Sequence, residues 1–333
     1  MGPRLCSTMG TAIVSAQEWS TQVSIKVSVV IPCYYSEATI AKVVTQTRAE
    51  LVKGGYDTEF VLVNDGSTDG TFAQIKKLAS EGDDVVGVDC AKNLGQHAAI
   101  MCGLRYATGE LIMMMDDDMQ THPSQCLKIV DAIVEHEDCD VVFASWPEHK
   151  EALWRRLGSD FAVWSMRIMT KRPKEIYPSN YFVIRDYIRD EVVRYTGPYP
   201  YVQGLLFRAT SRMMNVEVQH FEREEGTSGY TFKSLVKLWA SVLGFSMLPL
   251  RAASIAGAII GVLGLVAAIA VIIMRALDPT MALGWPSLMV VMLMCSGLIL
   301  MFMGIVGEYI GRLFMTANNA PQYVIKQVVD SRE

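Results

Sequence analysis

Two long stretches without charge near the C-terminus constrain what this 333-residue chain can fold into. The first runs from Ala252 to Met274 and the second from Leu288 to Val306. About 20 apolar residues in a helix are enough to cross roughly 30 Å of hydrocarbon. A buried helical hairpin in a soluble core would have the same composition. Two such lengths in succession favour a transmembrane hairpin within residues 251–314, with spans at about 252–274 and 288–310.

The basic residues around the hairpin predict its orientation. Arg275 alone lies in the short connecting loop, whereas several basic residues flank the two spans: Lys233, Lys237, Arg251, Arg312 and Lys326. Because positive charge stays on the cytoplasmic side, the N-terminal part and the tail 315–333 are both predicted to be cytoplasmic. Apolar residues at helical spacing over 231–250 predict an amphipathic helix. That helix would lie either in the headgroup layer or against the N-terminal domain.

Composition excludes several other classes of protein. A formal net charge of −5 argues against a nucleic-acid partner, which would need a basic surface. The seven cysteines show neither CxxC pairs nor clustering with histidine, which is typical of reduced thiols in a cytosolic compartment. Residues 1–23 lack the basic start and continuous apolar core of a signal peptide and are predicted to be a flexible tail.

Residues 24–145 alternate between strand-like and helix-like patterns. The strand-like runs lie at 27–31, 60–63, 85–88, 111–115 and 141–144, and the helical patterns at 37–52, 69–79, 96–106 and from 123 onward. Single helices between short strands imply right-handed crossovers and a mainly parallel α/β sheet of the Rossmann-like type. Such sheets bind ligands at the carboxyl ends of their strands, which is where the polar clusters of this sequence fall.

Three consecutive aspartates, Asp116, Asp117 and Asp118, follow the apolar run Leu111–Met115 directly. Because ionised carboxylates this close repel one another, a divalent cation is the simplest way to stabilise them. Ligation by oxygen alone favours Mg²⁺ or Mn²⁺ over zinc. An acidic, solvated loop is the alternative. The chain has no GxGxxG after its first strand and no GxxxxGK[ST], which argues against dinucleotide-binding oxidoreductases and P-loop enzymes.

Several motifs together resemble glycosyltransferase family 2. They are Val29-Val-Ile-Pro32, Asn64-Asp-Gly-Ser-Thr-Asp69, Asn93-Leu-Gly-Gln-His97, Asp116-x-Asp118-x-Gln120 and Glu222-Arg223-x-x-Gly226-x-Ser228-x-Tyr230. Within that family the chain is most similar to the polyprenyl-phosphate glycosyltransferases. These include the dolichyl-phosphate mannose synthases and, with the greatest similarity, the undecaprenyl-phosphate 4-deoxy-4-formamido-L-arabinose transferases. The resemblance covers roughly residues 25–328 and implies a GT-A type catalytic domain over 24–230.

The resemblance also implies roles for individual residues. Asp116 and Asp118 would be the DxD pair that binds the nucleotide diphosphate through Mg²⁺ or Mn²⁺, with Gln120 completing the coordination. Catalytic roles would fall to Asp118, Arg223 and Ser228, the last two in a segment that closes over the donor. The nucleotide sugar would be bound by Pro32, Tyr34, Glu37, Asp65, Asn93, Asp116 and Asp117. Arg155 and Arg156 would lie near the lipid phosphate, although a solvated basic turn would contain the same residues.

Two positions depart from the family pattern. The aspartate often proposed as general base is Ser179 here, and the lysine usual after Ser228 is Gly229. A missing base would be serious for a hydroxyl acceptor. It matters less for a phosphate monoester, which is largely dianionic at pH 7 because its second pKa is about 6. These departures therefore favour a phosphate acceptor.

The sequence thus predicts an inverting, metal-dependent glycosyltransferase, a hexosyl or pentosyl transferase, at the cytoplasmic face of the inner membrane. Its donor would be a nucleotide sugar, with UDP favoured over GDP, and its acceptor a polyprenyl phosphate such as undecaprenyl phosphate. Self-association into a homo-oligomer is left open. The alternatives are a processive polysaccharide synthase, disfavoured by the absence of a QxxRW-like motif, and a non-catalytic membrane scaffold or flippase accessory.

Overall fold

The computed structural model describes residues 24–146, 173, 175–219, 248–277 and 284–332. Within these ranges eight strands form one mixed sheet in the order β7-β5-β6-β4-β1-β2-β3-β8. The strands are β1 Lys26–Cys33, β2 Asp57–Asn64, β3 Val85–Cys90, β4 Leu111–Met114, β5 Val141–Ser145, β6 Phe182–Arg185, β7 Met213–Glu217 and β8 Ile325–Asp330. The helices are α1 Ile40–Lys53, α2 Thr71–Glu81, α3 Gln96–Leu104, α4 Cys126–Glu135, α5 Asp186–Val193, α6 Val202–Ala209, α7 Leu248–Leu277 and α8 Trp285–Ala317.

The centre of the sheet is parallel, as the alternating pattern predicts. Strand β1 pairs in parallel with both β2 and β4, and β2 pairs in parallel with β3. These strands are buried along nearly their whole length because helices cover both faces of the sheet. One hydrophobic core lies on each face. The predicted mainly parallel α/β fold is confirmed, and so are the five predicted strands β1 to β5.

Strand β6 was not predicted, and it determines what lies beside the end of β4. It runs antiparallel between β4 and β5, with Met114 opposite Phe182. Because the two strands run in opposite directions, the residues just before β6 lie beside the residues just after β4. Ser179 and Asn180 are thereby brought next to the aspartates that follow β4.

Strands β7 and β8 were not predicted either, and β8 comes from the segment predicted as a C-terminal tail. After α8 the chain returns to the sheet and pairs antiparallel with β3. The Gln322 amide nitrogen donates to the carbonyls of Tyr195 and Gly197, at 2.8 and 2.7 Å. Arg332 donates to Glu59 at 2.7 Å. The end of α8 is therefore attached directly to the catalytic sheet.

Glu59 is a fully buried carboxylate that joins three separate parts of the chain. Lys26 lies 2.9 Å and Arg332 2.7 Å from Glu59 Oε1, and Ser28 and Thr108 donate hydrogen bonds to the same carboxylate. Burial by itself raises the pKa of Glu59. The hydrogen bonds from Ser28, Thr108 and Lys26 outweigh burial and lower the pKa to about 2.

We expect Glu59→Gln to lower the melting temperature at pH 7 by several degrees, because a neutral amide cannot accept from all these donors. A carboxylate whose pKa is lowered on folding contributes stability above its unfolded pKa of 4.5 and loses it as the pH falls towards about 2. The difference in melting temperature between wild type and variant, measured by thermal unfolding, should therefore become smaller below about pH 4.5. Glu81→Gln, at a mostly exposed side chain on α2, is the control. A difference that stays constant down to pH 2 would contradict this account.

The two predicted apolar helices are confirmed as α7 and α8, and both extend beyond the predicted spans. Segments Leu250–Ala267 and Met294–Ala317 are long and apolar enough to cross a membrane, with mean hydropathies of 2.0 and 1.7. Neither segment is buried by the rest of the protein. Large side chains such as Leu263 and Leu300 are more than 60% exposed. An apolar surface of this size normally contacts lipid or another protein.

Candidate active site

Four polar segments lie after the central parallel strands, and hydrogen bonds join them into one cluster. They are residues 34–37 after β1, 64–67 at the end of β2, 92–95 after β3 and 116–120 after β4. The backbone N–H of Tyr34 donates to Asp117 at 3.2 Å, and that of Tyr35 donates to Ser67 Oγ at 3.1 Å. The carboxyl edge of this sheet is therefore the candidate active site, where parallel sheets normally bind their ligands.

A tight turn after β4 fixes Asp116 and Asp118. The backbone N–H of Asp116 donates to Thr121 Oγ1 at 3.1 Å, and Asp118 Oδ1 accepts from the backbone N–H of Gln120 at 3.0 Å. Directly after Asp118, the buried Met119 adopts a left-handed conformation with φ of 61°. Side chains other than glycine and asparagine rarely adopt this conformation, so the turn is held by its surroundings.

The donor atoms of this turn fit a hard divalent cation. Asp116 and Asp118 are both partly buried, and each carboxylate is oriented by a hydrogen bond. Among the described residues no three His, Cys, Asp or Glu side chains converge on one point. Mg²⁺ commonly takes one or two carboxylates from a protein and its other ligands from phosphate oxygens and water, which suits a carboxylate pair. Coordination by the side chain of Gln120 stays a prediction.

Asp117 faces the loop after β1. Its Oδ2 accepts from the Tyr34 backbone N–H and from the Ser36 hydroxyl. Burial raises the pKa of Asp117, and the nearby charge of Asp118 adds to this rise, although the two hydrogen bonds oppose it. Asp117 was predicted to bind the nucleotide sugar. The structure shows it linking β4 to the loop after β1.

The loop after β1 presents two aromatic rings at the site. Tyr34 and Tyr35 are 50% and 55% exposed, and their ring centroids lie 4.6 Å apart in an edge-to-face arrangement. The loop is held at its other end by Glu37, whose carboxylate accepts from the Gly70 backbone N–H at the start of α2, at 2.8 Å. Pro32 is buried within β1, directly before the loop. Exposed aromatic rings on a rigid loop are suited to stacking against a base.

Asp65 organises the loop after β3. Its two carboxylate oxygens accept from the backbone N–H groups of Leu94 and Gly95, each at 2.9 Å, and its side chain is almost fully buried. The preceding Asn93 is exposed at the edge of the site. Asp65 was predicted to bind the nucleoside. In the structure it positions the loop that contains Asn93.

Two glycines with positive φ allow the loops to follow these paths. Gly66 has φ of +68°, and a Cβ there would lie 2.4 Å from the backbone nitrogen of Asn93. Gly95 has φ of +93° and immediately precedes α3. Only glycine adopts such conformations at no steric cost, which explains both residues without assigning them a chemical role.

Three side-chain amides that the sequence analysis did not select connect to Asp116. Gln96 Nε2 donates to Asp116 Oδ1 at 2.6 Å, and Asn180 Nδ2 donates to Gln96 Oε1 at 3.0 Å. Gln203 Nε2 donates in turn to Asn180 Oδ1 at 2.6 Å. Gln96 falls inside the Asn93–His97 motif and Asn180 next to Ser179, so sequence signals existed for both. Gln203 lies in α6, and no sequence motif indicated it.

Ser179 occupies the position where a general base was sought. Its hydroxyl donates to the backbone carbonyl of Tyr181 at 2.7 Å. The side chain therefore supports the turn leading into β6. A hydroxyl that donates to a carbonyl is not oriented to remove a proton from a substrate.

His97 lies next to Gln96 and is neutral at physiological pH. Burial of the ring lowers its pKa to about 4. Its ring packs edge-on against Tyr201, with centroids 5.2 Å apart, and its Nδ1 has no hydrogen-bond partner among the described residues. The contact joins the first turn of α3 to the segment that leads into α6.

The end of α8 meets the catalytic domain close to α6. The guanidinium of Arg312 lies 5.1 Å from the centroid of the Tyr199 ring and donates to Glu308 at 2.9 Å. Tyr195 and Tyr199 from the domain and Leu313 from the helix line a cavity of about 360 Å³ at this junction. The same loop continues into Tyr201 and α6, so the junction is only a few residues from the candidate active site.

Four predicted site residues, Arg155, Arg156, Arg223 and Ser228, lie outside the described residues, and their roles stay predictions. The same holds for most of the predicted amphipathic helix, residues 231–247.

Comparison with known proteins identifies related sequences over nearly the whole chain. Glycosyl transferase family 2 matches residues 28–188. The undecaprenyl-phosphate 4-deoxy-4-formamido-L-arabinose transferase of Enterobacter sp. (strain 638) is 32% identical over 308 residues, which cover 91% of this chain and 94% of that protein. The transferase of the same name from Klebsiella pneumoniae subsp. pneumoniae is 31% identical, covering 92% and 95%.

Solved structures give a more distant match. The glucosyl-3-phosphoglycerate synthase of M. tuberculosis aligns with 67% of this chain and 81% of its own, at 17% identity and a TM-score of 0.48.

Proposed function

Because this chain belongs to glycosyltransferase family 2 and is therefore a glycosyltransferase, we propose that it transfers a sugar from a nucleotide sugar to undecaprenyl phosphate or a similar polyprenyl phosphate. The proposal follows the name of relatives that are about 30% identical to it over nine-tenths of its length. We propose further that the reaction inverts the anomeric carbon and takes place at the cytoplasmic face of the inner membrane.

The donor end of the site supports this reaction. Tyr34 and Tyr35 offer exposed rings to the base, and the turn at Asp116 and Asp118 offers carboxylate oxygens beside it. Asp116 and Asp118 would hold Mg²⁺ or Mn²⁺, which would neutralise the charge that develops on the departing diphosphate. Asp65 and Asp117 contribute by holding the loops around this pocket.

The transfer itself needs one nucleophile and one leaving group. A phosphate oxygen of the acceptor forms a bond to the anomeric carbon as the bond to the donor's β-phosphate oxygen breaks. That bonding pair leaves with the nucleoside diphosphate. A dianionic phosphate monoester carries no proton on the attacking oxygen, so no base has to remove one. The hydrogen bond between Ser179 and the Tyr181 carbonyl agrees with this requirement.

One observation carries the proposal: the chain that leaves the second apolar helix becomes a strand of the catalytic sheet. Strand β8 follows α8 by only a few residues and pairs with β3. Gln322 and Arg312 fix the end of the helix against the loop of Tyr195 and Tyr199. If α7 and α8 cross the membrane, this attachment holds the active site close to the bilayer. An enzyme whose acceptor stays in the bilayer needs that position.

Transfer to lipid is tested directly with radiolabelled nucleotide sugars. Membranes containing the protein are incubated with undecaprenyl phosphate and one donor at a time, including UDP-linked 4-deoxy-4-formamido-L-arabinose, UDP-glucose and GDP-mannose. We expect label in the organic extract with at least one donor, most strongly with a UDP-sugar, and at least about 100-fold less with Asp118→Asn. Label that enters only water-soluble or polymeric product would contradict the proposed acceptor and favour a polysaccharide synthase.

The proposed topology makes a separate prediction. A cysteine or glycosylation reporter at position 280, between α7 and α8, should be reached only from outside the cytoplasm, and one at the C-terminus only from inside. An impermeant thiol reagent applied to intact cells and to inverted vesicles makes this measurement. For the thiol assay, the exposed native Cys295 is first replaced by serine in both reporter variants. Labelling of both positions from the same face would contradict a two-span hairpin.

A further inference from the structure

Three side-chain amides form a continuous line from the interior of the domain to Asp116. Gln203 donates to Asn180, Asn180 donates to Gln96, and Gln96 donates to Asp116, over distances of 2.6, 3.0 and 2.6 Å. The three residues come from separate elements. Gln96 begins α3, Asn180 precedes β6, and Gln203 lies in the first turn of α6.

The direction of these hydrogen bonds follows from the carboxylate at their end. An ionised carboxylate can only accept, so Gln96 must turn its NH₂ group towards Asp116. The carbonyl of Gln96 then faces Asn180, which must in turn present its own NH₂ group. The same reasoning orients Gln203. No single amide can be reversed without placing two acceptors or two donors against each other.

We propose that Gln203, Asn180 and Gln96 form a one-directional amide relay that fixes the orientation of the Asp116 carboxylate for binding of the donor diphosphate. The three are positioning residues, since only Asp116 would act on the donor. This inference rests on the proposed function, in which Asp116 and Asp118 bind the diphosphate through a divalent cation. It adds that residues of α3, of the segment before β6 and of α6, which are distant in sequence, determine how well Asp116 and Asp118 bind the cation and the diphosphate.

The burial of Gln203 supports a role beyond stability. Its side chain is 5% exposed, and its Oε1 has no hydrogen-bond partner among the described residues. A buried carbonyl without a donor destabilises the folded state, whereas an apolar side chain of similar size would not. Packing alone would therefore favour methionine or leucine at this position. The Gln203 amide nitrogen donates to Asn180 Oδ1 at 2.6 Å and to the backbone carbonyl of Ser179 at 3.5 Å, and the shorter of these two bonds continues to Asp116.

The decisive comparison is between Asn180→Asp and Asn180→Ala. Aspartate has nearly the shape of asparagine but can only accept, so it competes with Asp116 for the NH₂ group of Gln96. When Gln96 turns towards residue 180, its carbonyl faces Asp116 and repels it. Alanine removes one member of the relay but leaves Gln96 able to donate to Asp116. We therefore expect Asn180→Asp to weaken UDP binding more than Asn180→Ala, although aspartate is closer to asparagine in shape.

The test measures binding of UDP with Mn²⁺ by calorimetry on the purified full-length protein, together with kcat, KM and melting temperature. We expect Asn180→Asp to weaken Mn²⁺-dependent UDP binding at least about tenfold more than Asn180→Ala. Gln203→Met should keep or raise the melting temperature and still weaken this binding several-fold. A residue that only packs would not be expected to weaken UDP binding when its substitution keeps or raises the melting temperature.

The outcomes separate this inference from the proposed function. If the wild-type protein binds UDP with Mn²⁺ but Asn180→Asp binds it as well as Asn180→Ala does, the relay is refuted while the proposed function stands. Higher transfer activity in Asn180→Asp than in Asn180→Ala would also refute the relay and would point to a carboxylate acting in chemistry there. A wild-type protein that binds no nucleoside diphosphate with Mn²⁺ or Mg²⁺ would contradict the proposed function, and with it the relay.

Discussion

Asp118→Asn should lower turnover at least about 100-fold while leaving the fold nearly intact. The Asp118 carboxylate is held at the turn after β4 by the Gln120 backbone N–H, beside Asp116 and at the edge of the sheet. An amide of the same shape keeps this turn but removes the negative charge that attracts a divalent cation. Steady-state transfer to undecaprenyl phosphate, measured against Mn²⁺ concentration, tests the effect.

The melting temperature provides a second readout for Asp118→Asn. The Asp118 charge raises the pKa of the neighbouring Asp117, so the two carboxylates repel each other in the absence of a cation. The substitution should therefore leave the metal-free melting temperature unchanged or raise it slightly. Asp83→Asn, in the exposed turn before β3, is the matched control and should affect neither quantity. Wild-type turnover in Asp118→Asn, or full wild-type activity in excess EDTA, would refute the metal assignment.

The sequence was sufficient to predict the parallel centre of the sheet because each strand there is defined locally. β1 to β4 are short apolar runs separated by single helical patterns, which implies parallel crossover connections within one sheet. Strands β7 and β8 carry no such signal, and the short apolar run of β6 does not reveal its antiparallel place between β4 and β5. β8 pairs with β3 across more than 200 residues of sequence, so its place depends on where α8 returns the chain. Long-range pairing of this kind cannot be predicted from local propensity.

The sequence predicted the location of the candidate site more accurately than the role of each residue in it. Clusters at strand ends identified the correct edge of the sheet, but not the direction of each side chain. Asp117 faces the loop after β1, whereas Asp116 meets Gln96, and these directions depend on how the turn after β4 is folded. The contact between Gln203 and Asn180 depends on how α6 packs beside β6. No periodic pattern in the sequence encodes it.

Ser179→Ala should reduce kcat less than about tenfold, whereas Arg223→Ala should reduce it on the order of 100-fold. The Ser179 hydroxyl donates a hydrogen bond to the Tyr181 carbonyl, and a dianionic phosphate acceptor requires no base. Arg223, outside the described residues, is predicted to offset the charge of the departing diphosphate. Single-turnover rates with saturating donor and acceptor compare the two variants on the chemical step alone.

The pH dependence of the same reaction gives an independent check on the acceptor. If the nucleophile is the phosphate itself, activity should rise with an apparent pKa of about 6, which belongs to the acceptor. That limb of the profile should persist unchanged in Ser179→Ala, because no group of the enzyme produces it. A polyprenyl phosphonate acceptor, in which a CH₂ group replaces the bridging oxygen and the second pKa is higher, should shift the limb upward in wild type and variant alike. A loss of about 1000-fold in Ser179→Ala would show that this serine, or the turn it supports, takes part in the chemistry. If the apparent pKa of the limb changes in Ser179→Ala but does not change with the acceptor, a base on the protein would be required.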